Sequence, residues 1–130
     1  HFCLAGPAPF PPGEQMLQSL PKYNLPATFE HQADPVVAAR DADVLYTDVW
    51  VSMGCEQESE ERKRVLSPYQ VTANILQAAK PDALFMHCMP THPGEEVSRS
   101  VLASPQAILF DQAENRLHIQ KAILRQLTQS

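Results

Sequence analysis

Short apolar runs are the feature that most constrains the fold of this chain. Each is too short for a buried helix and contains no polar alternation, which is typical of strands buried on both faces of a parallel sheet. The runs are Phe2–Ala5, Val44–Tyr46, Ala83–Met86 and Ala107–Phe110. We therefore interpret each run as a strand.

Helix signals fill the segments between the runs. Asp34 before Pro35 combines an N-cap residue with proline at the first helical position, and Ser67–Gln70 has the form of a capping box. The apolar residues spaced along one helix face are Val71, Ile75 and Ala79, and later Ile119, Ile123 and Leu127. The predicted helices follow Asp34, follow Ser67, and span 95–102 and 113–127.

The alternation of strand and helix predicts right-handed βαβ units. The expected fold is α/β, with an open parallel sheet and helices on both faces, Rossmann-like in architecture. The chain begins with His1 and enters an apolar run almost at once. We therefore expect a sheet that is truncated at its N-terminal end. Ligands of such sheets bind beyond the carboxyl ends of the strands.

Composition excludes several classes of function. A length of 130 residues suits one domain, and a net charge of −5 without a basic patch argues against a nucleic-acid partner. No apolar run reaches the roughly 20 residues that span a bilayer, and no signal-peptide pattern is present. The three cysteines are far apart, which argues against a disulfide framework. We expect a cytoplasmic location and no membrane partner.

Chemically active side chains follow the last three runs. Asp48 comes after the second run, Cys88 after the third and Arg116 after the fourth. Because the carboxyl ends of parallel strands share one edge, we expect the acid, the thiol and the guanidinium to converge there. Simpler roles remain open. Asp48 could cap a turn, Cys88 could be a small buried apolar side chain, and Arg116 could form a solvated ion pair.

Three other kinds of site fit the sequence less well. A metal site would use His87, Cys88 and His92, but adjacent strand residues point to opposite faces and no second pair has zinc spacing. A nucleophilic pair of Cys88 and His87 has poor geometry, since the two are neighbours in sequence. A dinucleotide site needs a glycine fingerprint that the four glycines do not form. We expect no metal and no cofactor.

Three segments resemble the signature motifs of the ornithine carbamoyltransferases, within the aspartate/ornithine carbamoyltransferase family. They are Asp48–Gly54 (DVWVSMG), His87–Pro90 (HCMP) and Asp111–Arg116 (DQAENR). The resemblance implies transfer of a carbamoyl group from carbamoyl phosphate to the side-chain amine of L-ornithine, which yields L-citrulline and phosphate in arginine metabolism. It implies that residues 1–130 are the C-terminal, ornithine-binding domain of a longer enzyme, without the first strand and helix of that domain.

The resemblance also implies a role for each matching residue. The expected catalytic residues are Cys88, Asp48 and Arg116. The expected ornithine-binding residues are Asp48, Ser52 and Met53. The expected carbamoyl-phosphate-binding residues are Cys88, Met89 and Arg116. The peptide bond between Met89 and Pro90 is expected to be cis, as the matching bond is in the family.

Assembly follows from the same resemblance. Family members form homotrimers or multiples of trimers, and helix 113–130 is expected to pack toward a carbamoyl-phosphate domain that this chain lacks. Without the Ser-Thr-Arg-Thr and His-Pro-x-Gln segments of that domain, the isolated chain is expected to be inactive. The alternatives are a carbamoyltransferase for another amine, a non-catalytic amino-acid-binding remnant, and a location in the mitochondrial matrix.

Overall fold

The computed structural model describes residues 1–7, 29–51 and 56–129. Its strands are β1 (Phe2–Ala5), β2 (Phe29–Gln32), β3 (Val44–Thr47) and β4 (Leu84–His87). Its α-helices are α1 (Pro35–Ala39), α2 (Ser59–Leu66), α3 (Ala73–Ala78), α4 (Arg99–Leu102) and α5 (Leu109–Thr128). Short 3-10 helices cover Glu56–Glu58 and Ser67–Tyr69.

All described strands pair in parallel, in two two-stranded sheets, β1 with β2 and β3 with β4. In the second sheet Val44 lies beside Leu84 and Thr47 beside His87, so β3 and β4 end at the same edge. Parallel strands joined by helical segments confirm the predicted α/β class. Strand β2 was not predicted, because Phe29 is its one apolar residue and no run marks it.

The run 107–110 is not a strand, which corrects the sequence prediction. Ala107 makes only an isolated bridge to Phe85, with Phe85 donating to the Gln106 carbonyl at 2.8 Å and Ile108 donating to the Phe85 carbonyl at 3.0 Å. Helix α5 then begins at Leu109. The run therefore spans two structural elements. Ala107 pairs beside β4, and Leu109 and Phe110 already belong to helix α5.

The prediction that each run is buried on both faces of a sheet is also wrong for most of the runs. In β3 the exposed Val44 and Tyr46 alternate with partly buried residues, and only β4 contains fully buried side chains, Phe85 and His87. The alternation in β3 reflects one face packed on the protein and one face open to solvent.

The predicted N-cap of α1 is confirmed, whereas the predicted capping box is wrong. The Asp34 carboxylate accepts hydrogen bonds from the backbone amides of Val36 at 2.8 Å and Val37 at 3.3 Å. Ser67 instead begins a 3-10 turn and donates back to the Arg64 carbonyl. Helix α3 begins later, at Ala73. The apolar face predicted behind the capping box is nevertheless buried at each of its positions, Val71, Ile75 and Ala79.

The last two helices differ from prediction at their starts. A turn occupies the beginning of 95–102, with Gly94 at φ +100° and its amide donating to the Val97 carbonyl at 2.8 Å. Helix α4 therefore covers only Arg99–Leu102. Helix α5 begins four residues before the predicted 113 and runs to Thr128. Its apolar stripe lies in solvent rather than in the core; the exposed residues are Ile119, Ile123 and Leu127.

The core lies between β4 and the short helices. Phe85 and Val97 are fully buried, and Val101 is 1% exposed. Packed around them are Ala39, Val71, Ile75, Leu76 and Leu109. None of the helices in the described parts of the chain is long and apolar enough to cross a membrane.

Candidate active site

The acid and the thiol singled out in the sequence lie side by side at the carboxyl edge of the second sheet. Asp48 follows the last residue of β3, and Cys88 follows the last residue of β4. The Cys88 thiol donates a hydrogen bond to Asp48 Oδ1 at 2.9 Å. The same oxygen accepts from the Val49 amide at 2.7 Å. Strand register therefore brings together two residues that are 40 positions apart in sequence.

The Cys88 side chain is held as a thiol. Partial burial, followed by the hydrogen bond and negative charge of Asp48, raises the pKa of Cys88 above its ordinary value. Partial burial also raises the pKa of the neighbouring Tyr46 phenol, with Cys88 adding to the effect. A thiol with a raised pKa is protonated at neutral pH and is a poor nucleophile. The arrangement therefore suits a hydrogen-bond donor and a polar contact better than covalent catalysis.

Gln112, which the sequence analysis did not single out, ties helix α5 to this edge. Its Oε1 accepts from the His87 amide at 2.9 Å, and its Nε2 donates to the Tyr46 hydroxyl at 3.5 Å. The sequence could have indicated this role, because Gln112 lies one helical turn before Arg116 and on the same helix face.

Arg116 lies on the exposed side of α5. Its guanidinium makes no hydrogen bond or ion pair with Asp48, Cys88 or any other residue that the structure describes. The structure therefore brings Asp48 and Cys88 into contact and places Arg116 one turn along the helix from Gln112. Ser52 and Met53 lie outside the described residues, as does Cys55.

The Cys88–Pro90 turn has an unusual backbone. The Met89–Pro90 peptide bond is cis, as predicted, and Met89 has φ +60°, in the left-handed region that residues other than glycine seldom adopt. The Met89 amide donates to Nδ1 of His87 at 2.9 Å. This hydrogen bond links the turn to the His87 side chain.

His87 and Glu96 lie under this turn and were not assigned a role from sequence. Both side chains are fully buried, with His87 Nε2 3.3 Å from Glu96 Oε1. Glu96 Oε1 also accepts a hydrogen bond from the His92 amide at 2.5 Å. The sequence did offer a reason to consider His87, because it is the one polar residue at the end of an otherwise apolar strand. Nothing in the sequence indicates that Glu96, rather than its neighbour Glu95, is the buried glutamate.

One side-chain group has the composition of a metal site. His92, Glu95 and Glu96 each bring a ligand atom to within 4.8 Å of the others. Glu95 is already bonded to Lys63 at 2.7 Å, and Glu96 to the His92 amide. Because one oxygen of each carboxylate is already bonded within the protein, we assign no metal to this group.

Comparison with known proteins gives consistent similarities. The family model of the aspartate/ornithine-binding domain of aspartate/ornithine carbamoyltransferases matches residues 1–127. An ornithine carbamoyltransferase of Chlorobaculum tepidum is 49% identical over 127 residues, which cover 98% of this chain and 37% of that protein. The chain thus spans about two fifths of the length of that relative.

Solved structures give the same picture. The ornithine carbamoyltransferase of Pyrococcus furiosus superposes with a TM-score of 0.82 at 48% identity, over 94% of this chain and 40% of that one. The anabolic ornithine carbamoyltransferase of Campylobacter jejuni superposes with a TM-score of 0.84 at 30% identity, over 98% of this chain and 43% of that one.

Proposed function

This chain belongs to the aspartate/ornithine carbamoyltransferase family, and from that premise we propose its function. The protein that contains it transfers the carbamoyl group of carbamoyl phosphate to the side-chain amine of L-ornithine, giving L-citrulline and phosphate. Residues 1–130 belong to the ornithine-binding domain of that protein. The observation that carries the proposal is the 2.9 Å contact between Cys88 and Asp48 at the carboxyl edge of β3 and β4.

Charge and position support binding of a diamino acid at this edge. Asp48 offers a carboxylate that complements the ammonium of the ornithine side chain, and a charge-assisted hydrogen bond of this kind is stronger than a neutral one. Ser52 and Met53, a few residues further along the chain, hold the α-amino and carboxylate groups. Free ornithine is therefore preferred over an amine without an α-carboxylate.

The chemical step needs orientation and electrostatics rather than a covalent intermediate. The ammonium gives up one proton to solvent, and the lone pair of the neutral amine forms the bond to the carbamoyl carbon. The bond from that carbon to the phosphate oxygen breaks, and the departing phosphate takes up the second proton that the amine nitrogen loses. Cys88 contacts the amine and the carbamoyl group as a neutral thiol. The Met89 carbonyl accepts from the carbamoyl amide, and Arg116 polarises the carbamoyl oxygen. No cofactor or metal enters this scheme.

Helix α5 is proposed to dock against the carbamoyl-phosphate domain of the complete protein. Its apolar side chains are left in solvent here, with Leu124 63% exposed and Leu127 69% exposed. We expect Ile123 and Leu124 to be protected from hydroxyl-radical labelling in the full-length protein and to be labelled in the 130-residue chain. Equal labelling in the two proteins would contradict the docking.

The wider setting is also part of the proposal. The complete protein acts as a homotrimer or a multiple of trimers in the cytoplasm, in arginine biosynthesis, and the mitochondrial matrix is the alternative location. Free thiols at Cys3 and Cys88 accord with a reducing compartment. Sedimentation of the full-length protein decides between a trimer and a monomer.

The function is tested by calorimetric titration of the full-length protein with norvaline, an ornithine mimic without the side-chain amine. We expect norvaline to bind and its affinity to rise when carbamoyl phosphate is present. An assay of citrulline formation should then give turnover for the full-length protein and none for the isolated 130-residue chain. Preference for another amine, or amino-acid binding without turnover, would overturn the proposal in favour of a different carbamoyltransferase or a binding remnant.

A further inference from the structure

A buried histidine and a buried glutamate lie directly beneath the Cys88–Met89 turn. In the parts of the chain that the structure describes, His87 and Glu96 are the polar side chains with no exposure to solvent. Burial of an ionisable side chain is costly unless a partner compensates it, so such a pair calls for a physical role.

The hydrogen bonds around His87 fix where its proton lies. Its Nδ1 accepts from the Met89 amide at 2.9 Å, so Nδ1 carries the lone pair. A neutral ring then carries its proton on Nε2, which lies within ion-pair distance of Glu96 Oε1, at 3.3 Å, and forms no hydrogen bond with any residue that the structure describes. The Met89 contact therefore selects one neutral tautomer, in which the protonated nitrogen lies beside a carboxylate.

Both residues of the pair are held by further hydrogen bonds to their surroundings. The His87 amide donates to Gln112 at 2.9 Å, which connects it to α5. The Glu96 carbonyl accepts from the Val71 amide at 2.8 Å, and the Glu96 carboxylate accepts from the His92 amide. A fully buried side chain that is held through Nδ1 and through its backbone amide has little freedom to reorient.

We propose that the His87–Glu96 pair is a positioning device for the Cys88–Met89 turn. Glu96 holds His87 in the Nε2-protonated tautomer, which leaves Nδ1 free to accept the Met89 amide. That hydrogen bond supports the left-handed backbone of Met89 and so sets the direction of its carbonyl and of the Cys88 thiol. The role in catalysis rests on the proposed function, whereas the tautomer does not.

The tautomer is tested by nitrogen-15 NMR of the full-length protein labelled at histidine. The spectrum of His87→Gln assigns the His87 signals by their loss. We expect chemical shifts of an unprotonated Nδ1 and a protonated Nε2, with an Nε2 proton that exchanges slowly because the ring is buried. A ring protonated at Nδ1, or at both nitrogens, would overturn the proposal, and this result does not depend on whether the protein makes citrulline.

A matched pair of substitutions tests the effect on catalysis. The Asn side-chain oxygen in His87→Asn replaces the Nδ1 acceptor, whereas His87→Gln reaches toward Glu96 and leaves the Met89 amide without an acceptor. We expect kcat for citrulline formation to be about tenfold lower in His87→Gln than in His87→Asn, the usual effect of one hydrogen bond, with KM for ornithine changed by less than about twofold. Equal kcat values in the two variants would overturn the positioning role.

The exposed pair of His118 and Glu114 provides a control, because it consists of the same two side chains as the buried pair. His118 Nε2 lies 3.3 Å from Glu114 Oε1, the same distance as in the buried pair, but on the surface of α5. His118→Gln should leave kcat and KM unchanged. Circular dichroism of each variant separates loss of positioning from loss of folding. If the wild-type protein makes no citrulline, the proposed function fails, and the NMR result alone then decides whether the pair holds the tautomer.

Discussion

Asp48→Asn in the full-length protein is expected to lower kcat/KM for ornithine by about 30- to 1,000-fold, because truncating one partner of a charged hydrogen bond costs about 2–4 kcal/mol. The substitution keeps the size of the side chain and removes the charge that complements the substrate ammonium. Steady-state citrulline formation with varied ornithine measures the effect. The binding of carbamoyl phosphate alone should change much less than the kinetics with ornithine.

The same variant has a second readout in the reactivity of Cys88. The charge and hydrogen bond of Asp48 raise the pKa of Cys88, so their removal lowers that pKa and increases the thiolate fraction at a given pH. We therefore expect faster alkylation of Cys88 by iodoacetamide at neutral pH. Burial, the largest cause of the raised pKa, remains in the variant, so the pKa stays above its ordinary value.

Asp43→Asn is the matched control for Asp48→Asn. Asp43 immediately precedes β3, at the opposite end of the strand, and pairs with Lys80 at 2.5 Å on the surface. Loss of one carboxylate charge there should leave both kcat/KM and the alkylation rate unchanged. Similar losses in the two variants would mean that net charge, rather than a carboxylate at the carboxyl edge, sets activity.

The sequence predicted the positions of Asp48 and Cys88 well, because both depend on one simple property. An apolar run ends, polar residues follow it, and parallel pairing brings successive strand ends to one edge. The 2.9 Å contact between them follows from this rule once β3 and β4 are in register. Two strand assignments were sufficient to predict it.

The buried pair of His87 and Glu96 was not predictable from the sequence in the same way. Glu96 and its neighbour Glu95 have the same side chain, yet Glu96 is fully buried against His87 while Glu95 pairs with Lys63 near the surface. The turn at Gly94, with φ +100°, decides which of the two points inward, and that geometry depends on long-range contacts such as the bridge between Val71 and Val97. Local propensity does not encode contacts of this kind.

The strand misassignment at 107–110 has a related cause. Ala107 and Phe110 belong to one continuous apolar run, yet Ala107 bridges β4 and Phe110 is an exposed residue in the first turn of α5. Periodicity over four residues does not distinguish a strand from the start of a helix. The tertiary surroundings decide the outcome: Ala107 lies beside β4, Leu109 packs into the core from the start of α5, and Phe110 faces solvent.

Phe85→Ala is expected to lower the free energy of unfolding by about 3–5 kcal/mol, the usual cost of truncating a buried phenylalanine. The ring has no solvent exposure, and its backbone joins β4 to the 106–108 segment through two hydrogen bonds. Typical domains are stable by only about 5–15 kcal/mol, so the loss should shift the urea midpoint strongly or unfold the variant outright. Urea denaturation of the 130-residue chain, followed by circular dichroism, measures it.

Phe110→Ala makes the same chemical change at a position with the opposite environment. Phe110 is 82% exposed in the first turn of α5, so its loss leaves no cavity, and alanine favours the helix slightly more than phenylalanine does. Its unfolding free energy should therefore stay within about 0.5 kcal/mol of the parent. Comparable destabilisation by both substitutions would mean that Phe85 does not lie at the centre of the core. The edge that holds Asp48 and Cys88 would then need another source of rigidity, because β4 carries Cys88 directly at its end.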